Sequence, residues 1–299
     1  ICSDPGNRYI FGTHWYPPGG SESGLFIWDR SDFSLETHII TDKPGKAVAA
    51  DNNYVIGSWG GIYTIPVPDC PEDMIAYWRA EDNALDSVGT NDGLLVGDTG
   101  YEDGKVGRAF SLDGDGDYID CGNDPGIQIG GNGSSFSLEA WAKPSELECT
   151  GVIVSQGNMT ANDGLHFKYR ANNKFTLAFY LDDLDTFESY TDTGEWHHWV
   201  GTYNGLTNER KIYRDGQLVA EDTAGDDYLG SGDLIIGAPA WAGTSYFNGL
   251  IDEVAVYNGV LSSEEIMEHY QSSGHYCLDA AGPTPIIPTP SPVVTPTVA

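Results

Sequence analysis

From Met74 to Tyr257, short apolar segments recur about every 10–15 residues, and this spacing constrains the fold more than any other feature. The segments are MIAYWRA, GLLVG, RAFSL, DYIDCG, FSLEAWAKP, GVIVSQG, GLHFKYR, KFTLAFYL, WHHWVGTY, RKIYRD, QLVAED, DLIIGA and LIDEVAVY. FSLEAWA and KFTLAFYL alternate apolar and polar positions in part, as half-buried strands do. Asp215-Gly216 suits a two-residue hairpin turn, whose central residues both take positive φ. Ser262-Ser263-Glu264-Glu265 before IMEHY reads as a capping box that opens one short helix. Many strands and one helix predict an all-β fold, a sandwich of antiparallel sheets.

VPDCPED (Val67–Asp73) is a proline-punctuated boundary. Residues 1–69 read as a small β lobe with an internal repeat. NRYIFGTHW recurs as NNYVIGSWG, with Tyr9 answering to Tyr54 and Gly12 to Gly57, and an apolar strand follows each copy. Strand-rich repeats of about 40–50 residues resemble β-propeller blades, and a propeller needs more blades than this segment holds. The chain begins at Ile1 rather than Met, as after removal of a leader or within a longer protein. Residues 70–278 form the larger domain. Residues 279–299 include the run GPTPIIPTPSPVVTPTVA, which favours an extended linker or docking tail and resembles an O-glycosylated stalk, with Thr284, Thr289 and Thr295 as acceptors. Its Ile286-Ile287 and Val293-Val294 pairs suit addition to an open sheet edge.

The 299 residues hold 45 acidic against 14 basic side chains, a formal charge of −31. Such a surface repels phosphate backbones and anionic headgroups, which argues against nucleic acid, and favours metal cations. Apolar residues at 40% and aromatics at 12% argue for a folded chain. No segment reaches the roughly 18–20 apolar residues of a membrane helix. The cysteines at positions 2, 70, 121, 149 and 277 include no C-x-x-C pair, which argues against a thioredoxin-like site or a zinc ribbon. Glycosylation sequons at Asn132 (NGS) and Asn158 (NMT), together with the tail, point to an extracellular or cell-surface location, where disulfides persist.

Five runs carry a family resemblance: GKVGRAFSLDGDGDYIDCGN, FSLEAWAKP, EWHHWVGTYNG, KIYRDGQLV and FNGLIDEVAVYNGVLSSEEI. They follow the order of the motifs in laminin-G-like (concanavalin A-like) jelly-roll domains, and the stretch from Asp73 to Tyr276 resembles that family. The resemblance implies a two-sheet antiparallel jelly roll with one short helix. The family's roles include calcium-dependent glycan binding, adhesion, and modules appended to surface proteins or hydrolases, so the fold alone does not name a function. In this frame Trp141 and Trp199 are expected to pack between the sheets. Cys70 and Cys277 flank the sandwich, and a disulfide between them would close a loop of about 200 residues, roughly 4–5 kcal/mol in the chain-entropy model. Cys121–Cys149 is the second expected pair, which leaves Cys2 for a partner elsewhere.

Asp113-Gly-Asp115-Gly-Asp117 invites an EF-hand reading, but Tyr118 stands where that loop needs glycine and Asp124 where it needs a bidentate glutamate. An acidic hairpin turn accounts for the run. In related jelly rolls the aspartate of the last strand's motif binds a structural calcium together with backbone carbonyls. The resemblance thus implies calcium at Asp252, with Asp86 and Asp117 as further oxygen ligands. A glycan needs apolar ring faces beside polar anchors. The candidates are Trp241, Tyr246 and Phe247 in APAWAGTSYFNG, with Tyr180 and Tyr190. The related glycosidases carry Glu-x-Asp-x-x-Glu; here Asp183-Leu-Asp185-Thr-Phe-Glu188 has Asp as its first residue, a methylene short for a retaining pair about 5 Å apart. His197 and His198 belong to a strand motif, with no nucleophile beside them in sequence.

Three functions follow, in this order. The first is a non-catalytic extracellular adhesion or surface-display module that binds calcium and a glycan or a surface protein. The second is a structural subunit of an extracellular filament or surface layer, self-assembled by β-strand complementation through the tail or the N-terminal lobe. The third is a laminarinase-type glycoside hydrolase.

Overall fold

The computed structural model describes residues 70–131, 133–146, 151–241 and 243–273, and within the first 69 residues the backbone of seven strands. The chain divides into two units at Asp69 and Cys70. In the first unit, β1 (Cys2–Ser3), β2 (Tyr9–Thr13), β3 (Ser23–Asp29) and β4 (Leu35–Thr41) pair in that order. β5 (Ala47–Ala50), β6 (Val55–Gly57) and β7 (Gly61–Tyr63) form a second sheet. The repeated segments fall on β2 and β6, each antiparallel to the strand that follows it.

The second unit opens with β8 (Met74–Trp78), β9 (Leu94–Val96), β10 (Gly100–Asp103), β11 (Arg108–Asp113) and β12 (Tyr118–Asp120). Next come β13 (Phe136–Pro144), β14 (Val152–Gln156), β15 (Leu165–Tyr169), β16 (Phe175–Phe179) and β17 (Asp182–Asp185). β18 (His197–Asn204), β19 (Glu209–Arg214), β20 (Gln217–Thr223), β21 (Leu234–Ile236) and β22 (Asn248–Tyr257) complete it, before the helix α1 (Ser263–Gln271). One sheet runs β10-β11-β22-β13-β18-β19-β20, with β8 also on β22; the other runs β17-β16-β15-β14-β21-β12-β9. The two antiparallel layers make a jelly-roll sandwich. No helix among the described residues is long and apolar enough to cross a membrane.

Strand alternation decides what fills the space between the layers. β13 contributes Phe136, Leu138, Ala140 and Ala142 to the core, and β15 contributes Leu165, Phe167 and Tyr169. Trp199 of β18 lies flat on Phe175 of β16, centroids 3.8 Å apart. Its indole N–H donates to the Tyr169 hydroxyl at 2.7 Å, so the buried donor is satisfied. Asp215 and Gly216 take φ of 51° and 76° in the tight β19–β20 hairpin, and Ser262 and Glu265 close the capping box of α1.

Three expectations change. Trp141 does not bridge the sheets: alternation turns it to the outer face with Glu139, where Tyr270 of α1 stacks on it at 5.8 Å and the Lys105 ammonium covers it at 4.1 Å. Cys121 is a free, buried thiol within the core, so the Cys121–Cys149 pair does not form. Its position turns the sulfur inward among apolar side chains, and that burial pushes its pKa well up. The run from Asp113 to Asp117 is not a hairpin turn, because β11 and β12 lie in different sheets; it is a crossover, with Gly114 and Gly116 at φ of 86° and 89°. Cys70 is disulfide-bonded. Cys149, Cys277, Asn132 and the tail with Thr284, Thr289 and Thr295 lie outside the described residues.

α1 closes the outer face of the first sheet over a fully buried carboxylate. Glu139 accepts from His198 Nε2 at 2.6 Å and from the Tyr257 hydroxyl at 2.8 Å, and His269 Nδ1 of α1 lies 3.0 Å from its Oε2. Burial works to raise the Glu139 pKa, but the two imidazoles outweigh it and bring it down to about 2. Burial works to lower the His269 pKa, but the carboxylate wins and raises it. Replacing Glu139 by Ala strands these donors and is expected to cost about 3–5 kcal/mol in urea denaturation. The pH dependence has two limbs. The Glu139 contribution is present above about 4.5 and is lost as pH falls towards about 2. The His269 contribution is full below about 6.5 and is lost as pH rises through its raised value. Urea midpoints measured across pH are expected to fall on both sides of that window, and His269→Gln is expected to flatten the alkaline limb.

Candidate functional site

The outer face of the second sheet is built around β15. Because Leu165, Phe167 and Tyr169 face the core, His166 and Lys168 stand on the opposite face, and Arg170 extends the row. His166 pairs in register with Ala178 and Lys168 with Thr176; those residues pair in turn with Asp183 and Asp185 of β17. Thr176 and Ala178 are small and buried, which lets Arg170 reach across β16. Its Nη1 lies 2.8 Å from Asp183 Oδ2 and 3.0 Å from Asp185 Oδ1.

Aromatic rings gather at one end of this row. Trp241, from the segment between β21 and β22, packs against His166 with centroids 4.4 Å apart and planes 54° apart, and Tyr180 stacks on His166 at 6.3 Å and 15°. Ser155, paired with His166 across β14, donates to the Ala238 carbonyl at 2.6 Å and anchors the start of the segment that carries Trp241. Tyr180 and Trp241 are partly buried, so each keeps some ring surface in solvent. His166 Nε2 is buried with no hydrogen-bond partner. Burial, and then the Lys168 charge, hold the imidazole pKa down at about 4, so the ring is neutral at physiological pH. Burial, and then Arg170, also lower the Lys168 pKa. Among the described residues no carboxylate pairs with the Lys168 ammonium. Ring faces here lie beside a neutral imidazole, an ammonium and an ion-pair network, the mix of apolar surface and few polar groups that ligand sites present.

Of the glycan candidates, Trp241 and Tyr180 come together here. His166, which joins them, escapes a search for tryptophan and tyrosine; its signal was the alternation in GLHFKYR. Tyr246 is partly buried in the same segment as Trp241. Phe247 is not a surface platform: it is 1% exposed, packed near Tyr169 and over Gly151 within the core. Tyr190 carries the Arg214 guanidinium at 4.3 Å and belongs to a different cluster. Asn158 is exposed, and its amide donates to Asp163 at 3.3 Å. His197 lies between Asp192 and Asp215, at 3.0 and 2.8 Å.

The three expected metal ligands occupy three settings. Asp86 is saturated by its own loop and β8, accepting from the backbone of Tyr77, Val88 and Asn91 and from the Asn91 amide. Asp117 is buried beside the exposed Asp98 and Asp113, whose backbone N–H groups it accepts. An open cleft of about 580 Å³ adjoins that trio, also lined by Lys143 and Asn248. Asp252 is fully buried in β22, next to a bulge where Glu253 takes φ of 52°. Its Oδ2 accepts from the backbone of Lys105 and Val106 at 2.8 and 3.0 Å, the Glu253 backbone N–H also acts on the carboxylate, and Oδ1 has no partner of full hydrogen-bond geometry. Burial raises the Asp252 pKa to about 7, and the Glu81 charge adds to the shift.

No curated protein matches the chain as a relative. Among solved structures, domain 4 of AbnA, an extracellular GH43 arabinanase from Geobacillus stearothermophilus solved with arabinotriose, superposes with a TM-score of 0.55 at 22% identity, over 66% of this chain and 97% of that one. The binding domain of Paraclostridial Mosquitocidal Protein 1 gives 0.55 at 16% identity, over 67% and 52%. The receptor binding domain of botulinum neurotoxin C/D mosaic serotype gives 0.53 at 19% identity, over 67% and 51%. The chain thus spans about half the length of these two toxin domains. All three likenesses are likenesses of fold. A family model described as the concanavalin A-like lectin/glucanases superfamily matches residues 113–267, more than half of the sequence, and the chain belongs to that laminin-G-like superfamily.

Proposed function

We propose that the second unit is a non-catalytic, extracellular glycan-binding module for adhesion or surface display. The observation that carries this reading is the His166, Tyr180 and Trp241 cluster on an outer sheet face, with Tyr180 stacked on the imidazole and Trp241 tilted against it. Stacked rings beside polar groups suit the apolar face and hydroxyl edge of a sugar. The AbnA domain of the same fold was solved with arabinotriose, which supports sugar as the ligand class. Asp183 and Asp185 are both engaged by Arg170, an arrangement that pairs charge and does not resemble a cleaving pair of carboxyl groups. The test is affinity electrophoresis in gels containing arabinan, β-glucan or other polysaccharides. Retention of the wild-type chain is expected in at least one gel, with Trp241→Ala reducing it at least tenfold, about 1.4 kcal/mol or more. Failure on every polysaccharide overturns the reading.

The reading includes a structural calcium at Asp252. The fit rests on the orphaned Oδ1 of this fully buried carboxylate, with the Glu81 charge nearby. Hard oxygens of this kind suit calcium, which would supply charge compensation for two carboxylates that otherwise repel. Asp86 has no oxygen to spare, and Asp117 belongs to another cluster. Adding millimolar calcium is expected to raise the thermal midpoint of the wild-type chain by several degrees and that of Asp252→Asn by little or nothing. An equal shift in both proteins would move the ion away from Asp252.

A further inference from the structure

We propose that the sugar taken by the His166, Tyr180 and Trp241 cluster carries a carboxylate, and that Lys168 is the side chain that binds it. This deepens the glycan reading and rests on it. The chain carries 45 acidic and 14 basic side chains. Arg108 sits on Asp82 and Asp103, Arg210 on Asp182 and Asp222, and Lys211 on Glu209. Lys168 makes no such pair among the described residues, although Asp183 and Asp185 lie in the adjoining rows of the sheet. Arg170 holds both of those carboxylates, so the partly buried ammonium feels their charges without making a direct ion pair.

The position suits a single sugar. Lys168 and His166 share a strand face two residues apart, about 7 Å along β15, which is the reach of a pyranose with its exocyclic carboxylate. A ring laid against Trp241 and Tyr180 beside His166 would place that group at the ammonium. Charge complementarity selects the acid. Lys168 acts more strongly on the His166 titration than Asp183 does, and Asp183 and Asp185 are held by Arg170, so the ammonium is the cation of this row without a direct carboxylate contact. The chain's negative field is screened over about 8 Å at physiological ionic strength, whereas a contact with a partly buried ammonium is screened far less. A neutral sugar would bury that ammonium further without pairing it; a carboxylate forms a charge-assisted hydrogen bond there.

The test uses the full chain and three oligosaccharides, one galacturonate, one glucuronate-terminated and one sialylated. Each is measured by calorimetry beside a neutral twin made by reducing its carboxyl group to the alcohol. At least one acid is expected to bind about tenfold or more tightly than its twin. Lys168→Met is expected to bring the acid down to the level of the twin without changing the twin, and Lys168→Arg to keep the preference. The His166 ring, followed by NMR, is expected to titrate at a higher pH in the acidic complex, because the ligand charge offsets Lys168; a lysine with only a packing role would not produce that shift. Twins that bind as tightly as their acids, or a Lys168→Met variant that loses both equally, would overturn the acidic assignment and leave the glycan reading standing. If neither class binds and the polysaccharide gels also show no retention, both readings fall together.

Discussion

Trp199 from one sheet lies on Phe175 from the other, centroids 3.8 Å apart and planes 7° apart, and the chemistry on the outside of the sandwich depends on this contact. Tyr169 meets both rings edge-on and takes the indole hydrogen bond, so three aromatic side chains from β15, β16 and β18 fix one another. With Tyr169 pinned inside, the two-residue period of a strand leaves no freedom to His166 and Lys168. A slip of one residue would drive the ammonium into the core and expose Phe167, so the core that stabilises the fold also sets which side chains a ligand can meet.

The two outer faces of the sandwich are finished differently. On the eight-stranded sheet α1 covers Trp141 and the Glu139 carboxylate, and every polar group shown there on Glu139 is a donor from a different element: His198, Tyr257 and His269. A buried carboxylate surrounded in this way fixes the helix in one seat, because breaking any one contact leaves charge without compensation. On the seven-stranded sheet the segment carrying Trp241 covers only one end of the β15 row. Sealing one face with a helix leaves the other as the place where half-covered rings and an unpaired cation can meet solvent.

Much of this was legible in the residues. Thirteen of the fifteen strands of the second unit, the Asp215-Gly216 hairpin and the capped helix follow from local patterns, whereas β10 and β17 are edge strands of largely polar residues that carry no such pattern. The spacing from Ile251 to Val254 is one residue off strict alternation, and the bulge at Glu253 is what turns Val254 and Val256 back to the core. What sequence could not give was the face of a side chain where both faces are covered. Phe247 and Trp241 sit six residues apart in one segment, yet one is core and the other surface; Trp141 is buried by a helix that follows it by some 120 positions. Cys121 is similar, since a thiol in a strand pattern reads alike whether it points to a loop partner or between the sheets. The acidic residues misled for another reason. Asp86, Asp117 and Asp252 were alike in composition, and only the backbone donors around each one separate a saturated carboxylate from one with an oxygen left over.

The excess of acid bears on recognition through where it is absent. Partly exposed arginine on this acidic surface pairs with carboxylates, as Arg108 does with Asp82 and Asp103, and such pairs add little beyond local order. At β15 the pairing is unequal: one guanidinium takes two carboxylates, and the neighbouring lysine is left with none. Desolvation by the surrounding side chains makes that residual charge more effective in contact and less visible at a distance, because it acts where water is partly excluded and is screened elsewhere. The unpaired ammonium is placed by strand alternation and by the reach of Arg170 across the small residues Thr176 and Ala178, so its availability follows from the sheet geometry and not from the net charge of the chain.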